Sequence, residues 1–294
     1  MSADIVREEG IYTMSAEDYH ADELRDQPAL SSSIIKILVS ESPLHAWTNH
    51  PKLNPNFVRE ESEVMDIGAI AHALLLEGES KAVVLDFPDW RPKASKEARD
   101  EARKAGRVPL LDKHYQTVML MVRSARQQLE AHRDAKDAFT DGRPEQTIIW
   151  EESGLLCKAR LDWLHDSHRK IDDYKTTGVT ANPEAVSRTL FSNGNDIQAA
   201  WYIRGLKAID PQCEPIFRFI YQETYPPYAL SVIMLGPDAL MMAERKIVRA
   251  MDTWRECLAT NKWPGYPNEA CYVNVPAWME HQEMEKELNS VIHT

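Results

Sequence analysis

Two aspartates and a lysine stand where they could do chemistry together. Asp162 lies in a stretch at 155–163, and Asp173-x-Lys175 lies in another at 170–177. Both stretches are rich in β-branched, aromatic or apolar residues, and the polar, turn-prone segment 165–169 joins them. This pattern predicts two antiparallel strands. Strand side chains alternate, so Asp173 and Lys175 share one face while Asp172 and Tyr174 take the other. A carboxylate from each strand beside an amine can hold a divalent cation. Hard oxygen ligands suit Mg²⁺ or Mn²⁺, and such an ion lowers the pKa of a bound water and stabilises charge building on a phosphate. Lys175 could hold or deprotonate the attacking water, or neutralise the phosphate. By itself an Asp-x-Lys tripeptide is also what a solvated strand shows.

The surrounding chain must supply the elements that position these groups. Ser31, Ser32 and Ser33 can cap a helix starting near Ile34, and Pro43 breaks it or starts a second one. Residues 65–77 read as a strongly apolar helix with one histidine, His72, inside it. A lone histidine on such a face is ordinarily a hydrogen-bonded core residue. Residues 83–85 read as a strand, and 112–133 as a helix with Val118, Met121, Val122, Ala125 and Leu129 at helical spacing. Residues 145–151 read as the first strand of the central sheet. Its strand-end acids Glu145 and Glu151 are of a common kind and are not taken as ligands. Residues 196–209 form a helix that places Gln198 and Tyr202 one turn apart on one face. The stretches 215–223 and 228–235 read as a hairpin, followed by a long amphipathic helix from Pro237 to about 258.

The series Asp162, Asp173-x-Lys175, Gln198-x-x-x-Tyr202 resembles the PD-(D/E)xK nuclease superfamily, and more narrowly its exonuclease VIII (RecE-type) branch of phages and prophages. The resemblance runs from the Ser31 region to the Trp263-Pro264 region, with Leu161 standing where the motif has proline. It implies an α/β fold with a mixed central sheet flanked by helices and an added N-terminal helical region. It also implies that Gly68-x-x-x-His72 is a metal-binding helix. His72, Asp162, Asp173 and the Tyr174 carbonyl would then hold Mg²⁺, with Mn²⁺ substituting. Gln198 and Tyr202 would flank the site and contact the substrate strand. The implied activity is a metal-dependent exodeoxyribonuclease that degrades double-stranded DNA ends 5′ to 3′, leaving 3′ single strands for an annealing protein to recombine. Relatives of this kind form rings, so a trimer or tetramer is expected. The alternatives are a Cas4- or RecB-like nuclease of other polarity, an endonuclease, or a catalytically silent DNA-binding module.

Composition frames these expectations. With 294 residues, 43% hydrophobic and 27% charged, the chain has ample length for a core. The expected organisation is a polar segment at 1–30, a nuclease domain at 31–268 and a tail with a helix at 269–294. No apolar run is long enough to span a bilayer, and 1–4 lacks a signal-peptide pattern, so a cytoplasmic location is expected, with no membrane partner. Cys157, Cys213, Cys257 and Cys271 are scattered without a Cys-x-x-Cys pair, which argues for buried free thiols and against a zinc or iron–sulfur site. The net charge of −12 conflicts with binding phosphates. A confined basic path resolves the conflict. Its candidate is 91–107, where seven Lys or Arg face three acids. That stretch is either a solvated helix or loop, or a flap against the DNA backbone.

Overall fold

The computed structural model describes residues 8–58 and 63–292. In chain order the first elements are β1 (Gly10–Thr13), α1 (Ala16–Ala21), α2 (Ser32–Ser40), α3 (Pro43–Thr48), α4 (Glu63–Leu76) and β2 (Ala82–Leu85). Then come α5 (Lys93–Lys104), β3 (Val108–Leu111), α6 (Asp112–Glu130), β4 (Gly142–Glu152), β5 (Leu155–His165) and β6 (Lys170–Thr177). The remainder are α7 (Pro183–Ser192), α8 (Asn195–Ile209), β7 (Ile216–Glu223), β8 (Leu230–Ile233), α9 (Pro237–Thr260) and α10 (Ala277–Ile292).

The central sheet has six strands in the order β1-β4-β5-β6-β7-β8, and β2 and β3 form a separate parallel pair. Within the large sheet β6 and β7 run parallel and every other pairing is antiparallel. The fold is therefore a mixed α/β sheet flanked by helices. The parallel pair needs a crossover, which α7 and α8 supply. Among the described residues no helix is long and apolar enough to cross a membrane.

Two compact units divide at Trp263 and Pro264, a few residues before the expected boundary at 268. The N-terminal segment, expected to be polar and partly extended, is part of the first unit. β1 pairs with β4 from Gly10 opposite Ile149 to Thr13 opposite Gln146. Leu24 and Ala29 pack with Ile149 and Leu156. Leu30 is held by backbone bonds to Leu156 and Lys158. Residues 1–7 lie outside the described set. The second unit carries α10. Three of the four cysteines are buried free thiols as expected, but Cys271 is exposed.

Two close approaches set the helices that matter for the site. On α8, a Cβ added to Gly205 would sit 2.6 Å from the Trp150 ring of β4, so only glycine lets the helix come so near. Trp201, one turn earlier, stacks on Trp150 at 4.7 Å between centroids and donates its indole N–H to the Lys158 carbonyl at 2.9 Å. Both indoles are fully buried. At roughly 150–250 Å² each, their burial is worth about 4–6 kcal/mol apiece before entropy, which anchors α8 on β4 and β5. On α4, a Cβ added to Gly68 would meet Thr176 Oγ1 of β6 at 3.1 Å, so this helix lies close against the strand of the Asp-x-Lys motif. His72 follows one turn later.

Candidate active site

Strands β5 and β6 pair only briefly. Their ladder holds Trp163 opposite Asp172 and Leu164 opposite Ile171. Beyond it the strands part, and the Asp162 side chain fills the gap, its Oδ2 accepting the Tyr174 N–H at 2.9 Å. That single substitution of a carboxylate for a ladder carbonyl brings Asp162 to the strand that carries Asp173 and Lys175. Asp173 is fully buried. Its Oδ1 accepts a bond from Gln198 Nε2 at 2.6 Å, and Lys175 Nζ lies 2.6 Å from its Oδ2. That ammonium is the partner of Oδ2 among the described residues. The alternation read from the sequence holds. Asp172 turns away to Arg218 and His165, and the Tyr174 hydroxyl donates to Gln222 at 2.5 Å.

His72 of α4 sits between two acids. Its Nε2 lies 3.1 Å from Asp162 Oδ2, and its Nδ1 lies 3.3 Å from Glu145 Oε1. Glu145 is directly across β4–β5 from Asp162, at a point where the ladder between Pro144–Trp163 and Gln146–Leu161 lapses and the Glu145 backbone turns left-handed, φ 56°. Arg160 pairs with the second oxygen of Glu145. An N–H at Nδ1 bonded to a carboxylate fixes the imidazole so that Nε2 faces the cation side, the arrangement that orients metal-ligating histidines. Among the described residues, the group of three whose ligand atoms all lie within 4.8 Å of one another is His72, Glu77 and Glu145, on the Nδ1 side, and not His72 with Asp162 and Asp173. Arg160 holds the other oxygen of Glu145, and Glu77 is exposed.

The electrostatics are those of a site short of positive charge at its centre. Burial opposes charge on His72, but the charge and hydrogen bond of Asp162, with Glu145, lift its pKa to about 9. Burial also opposes ionisation of Asp162, yet His72, Lys175 and the Tyr174 N–H hold that carboxyl below its ordinary value. Asp173 is pushed up to about 6 by burial and then by Asp162, against Lys175 and Lys36. Burial works against the Lys175 ammonium, but Asp173 and Asp162 raise its pKa. Two carboxylates and an imidazole are donors of the kind that suits a divalent cation. A cation there would displace the His72 proton that now serves Asp162.

The residues expected from the sequence do converge, with one difference. His72 contacts Asp162, and Lys175 and Gln198 contact Asp173; the Tyr174 N–H, bonded to Asp162, links the two sets. Tyr202 does not join them. It is buried, ring to ring with Phe217 at 6.0 Å, and its hydroxyl bonds to Ser32 of α2. Burial raises its pKa well above the ordinary value. The sequence reading passed over Glu145 and had no signal for Lys36, whose ammonium donates to Asn195 Oδ1 at 3.0 Å and to Gln198 Oε1 at 3.5 Å.

A family described as a PDDEXK-like domain of unknown function (DUF3799) matches residues 31–276. No curated protein matches the sequence. Among solved structures the chain is similar to a protein of Eubacterium rectale provisionally named an exonuclease. The identity is 14% and the TM-score 0.61, over 90% of this chain and 97% of that one. It is also matched to a phage-related exonuclease of Haemophilus somnus 129PT at 13% identity and TM-score 0.32, over 66% of this chain and 96% of the other. The first of these shows a shared fold.

Proposed function

From the premise that the chain belongs to the DUF3799 family of PDDEXK-like domains, we propose that it is a divalent-cation-dependent deoxyribonuclease. The observation that carries this reading is the contact of His72 with Asp162, whose carboxylate in turn accepts the Tyr174 N–H between Asp173 and Lys175. Asp162, Asp173 and His72 would hold the cation, which when bound supplies Lewis-acid activation of water and neutralises charge on the phosphate. Glu145 keeps the imidazole turned toward Asp162. Gln198 keeps Asp173 turned inward by its 2.6 Å hydrogen bond. Of the two roles open to Lys175, the structure favours the electrostatic one. Its pKa is raised by Asp173 and Asp162, so at neutral pH it is an ammonium that stabilises the phosphate and orients water, not a base.

We further propose Mg²⁺ as the ion, double-stranded DNA ends as the substrate, and 5′ to 3′ degradation that leaves 3′ single strands for an annealing protein, carried out by a ring of three or four copies. What supports these finer points is the order of the motifs, which resembles the RecE-type branch. A catalytically silent module is disfavoured by Asp173. Holding a buried carboxylate at so raised a pKa costs stability that a silent fold has no reason to keep.

The test uses end-labelled linear duplex and closed circular duplex, each with Mg²⁺ and with EDTA. Cleavage of the linear form only, dependent on Mg²⁺ and abolished in Asp173→Asn and Lys175→Ala, is expected. Cleavage that persists in Asp173→Asn would remove the metal assignment. Cutting of the circle would replace the exonuclease reading with an endonuclease.

A further inference from the structure

Lys36 is a charged group that the mechanism above does not use. It projects from α2 and is half-buried. Its acceptors, Asn195 Oδ1 and Gln198 Oε1, are both neutral amide oxygens. No described carboxylate lies within ion-pair distance of it. Lysines that hold this fold together are treated differently. Lys158 is buried against Asp22, and Lys246 pairs with Asp196 of α8 at 2.7 Å.

The two amides that Lys36 touches are committed to the active centre. Gln198 passes its other end to Asp173, and Asn195 Nδ2 donates to the Tyr221 hydroxyl at 2.7 Å. Lys36 therefore approaches Asp173 through Gln198, while Lys175 contacts Asp173 directly. Burial and then the charge of Lys175 lower the Lys36 pKa to about 8, against the pull of the more distant Asp173 and Asp196 carboxylates. What Lys36 lacks among the described residues is a carboxylate of its own within ion-pair distance. Space is kept for the lysine as well. Gly194, at the start of α8, has a left-handed backbone, φ 62°, and a Cβ added there would come within 3.0 Å of Lys36 Cγ.

We propose that Lys36 is a second phosphate-binding cation of this site, holding a backbone phosphate of the substrate strand beside the one that Lys175 faces. The inference rests on the nuclease reading and extends it to how the strand is gripped. An ammonium with only neutral partners gains a full charge-assisted bond when a phosphate oxygen arrives. The same ammonium paired with a carboxylate would have to give that up.

The experiment compares the full chain with Lys36→Met and Lys36→Arg. Binding of an end-labelled duplex is followed by anisotropy in EDTA across a salt series, and cleavage in Mg²⁺ is followed separately. Lys36→Met is expected to bind about tenfold more weakly, with the slope of log K against log salt reduced by about 1, as the loss of one phosphate contact requires. Lys36→Arg is expected to keep that slope and to show that the position tolerates substitution, and melting temperatures report whether each variant is folded. Unchanged affinity and slope in a folded Lys36→Met protein overturns the proposal. So does a fall in kcat alone that Gln198→Ala reproduces, since Lys36 would then act only by positioning Gln198. If the unaltered chain neither binds nor cuts duplex DNA, the nuclease reading falls and takes this inference with it. That outcome is visible before Lys36 is touched.

Discussion

Asp173→Asn should make the metal-free protein more stable while removing its activity. The carboxylate is fully buried, and burial with the charge of Asp162 raises its pKa from 3.8 to about 6 despite Lys175 and Lys36. The unfolded chain returns it to the ordinary value. Below about pH 3.8 the group is protonated in both states and costs nothing. Between the two values the folded state keeps a proton that the unfolded state releases. Above about 6 both states are ionised, and the folded one bears the whole penalty. At 1.36 kcal/mol for each tenfold difference in proton affinity, the penalty is about 3 kcal/mol. Asparagine has the shape of the protonated acid and keeps an acceptor for Gln198. Urea denaturation in EDTA at about pH 7.5 should therefore show Asp173→Asn more stable by about 3 kcal/mol, or roughly 6–12 °C in melting temperature. The gain should vanish as pH falls to about 3.5. Added Mg²⁺ should stabilise the parent and not the variant, because only the parent retains the ligand. A variant no more stable than the parent in EDTA at neutral pH would refute the account of Asp173 as a strained, incompletely satisfied acid.

Asp172→Ala should do the opposite, costing about 3–5 kcal/mol in urea denaturation, because the buried Arg218 loses a two-point partner; a paired Asp172→Leu, Arg218→Met variant should recover most of that. Gly205→Ala should cost about 1–3 kcal/mol, since its Cβ would lie 2.6 Å from the Trp150 ring, and kcat should fall as α8 shifts Gln198. Circular dichroism melting and single-turnover cleavage check the two effects separately. Reversing Lys93, Lys96 and Arg99 on α5 should weaken duplex binding and flatten its salt dependence in anisotropy titrations. An unchanged slope would leave α5 as solvated surface.

What the sequence made legible was what is local. The β5–β6 hairpin follows from strand alternation and a polar turn, so Asp162, Asp173 and Lys175 could be placed from spacing alone. The Gly68-x-x-x-His72 pair shows as small residues on an apolar helix, but that the helix faces β6 depends on the fit of Gly68 against Thr176, which only the resemblance suggested. Glu145 was passed over because its role arises from a lapse in the β4–β5 ladder and a left-handed backbone, neither of which leaves a mark in composition. Lys36 meets Asn195 across 159 residues of chain and belongs to no motif. Two strands were also missed for physical reasons. β1 is short and half polar, and takes its place only by pairing with β4. β3 contains Pro109, which a central strand excludes but a two-stranded pair tolerates. Spacing places Tyr202 on one helix face with Gln198 and only the resemblance gives it a role at the substrate; its hydroxyl bonds to Ser32 of α2.

The neighbouring acids of β6 show how function separates from structure in this chain. Asp172 accepts bonds from Arg218 Nε and Nη2, His165 Nε2 and the Phe139 N–H, at 2.6, 2.9, 2.8 and 3.2 Å. Its lone pairs are used, and a further ligand would have to displace a donor. Asp173, one residue on and turned to the other face, has two partners where Asp172 has four donors: Gln198 Nε2 on Oδ1 and the Lys175 ammonium on Oδ2, both at 2.6 Å. Strand alternation separates these two carboxylates by face, but it does not show how many donors each receives. Their partners do. A buried carboxylate with every lone pair satisfied holds a fold together, whereas one left short is tolerated only if something binds it. By that criterion the cation belongs with Asp173. The cost of keeping Asp173 ionised without a cation is the same free energy that a divalent ion would recover on binding.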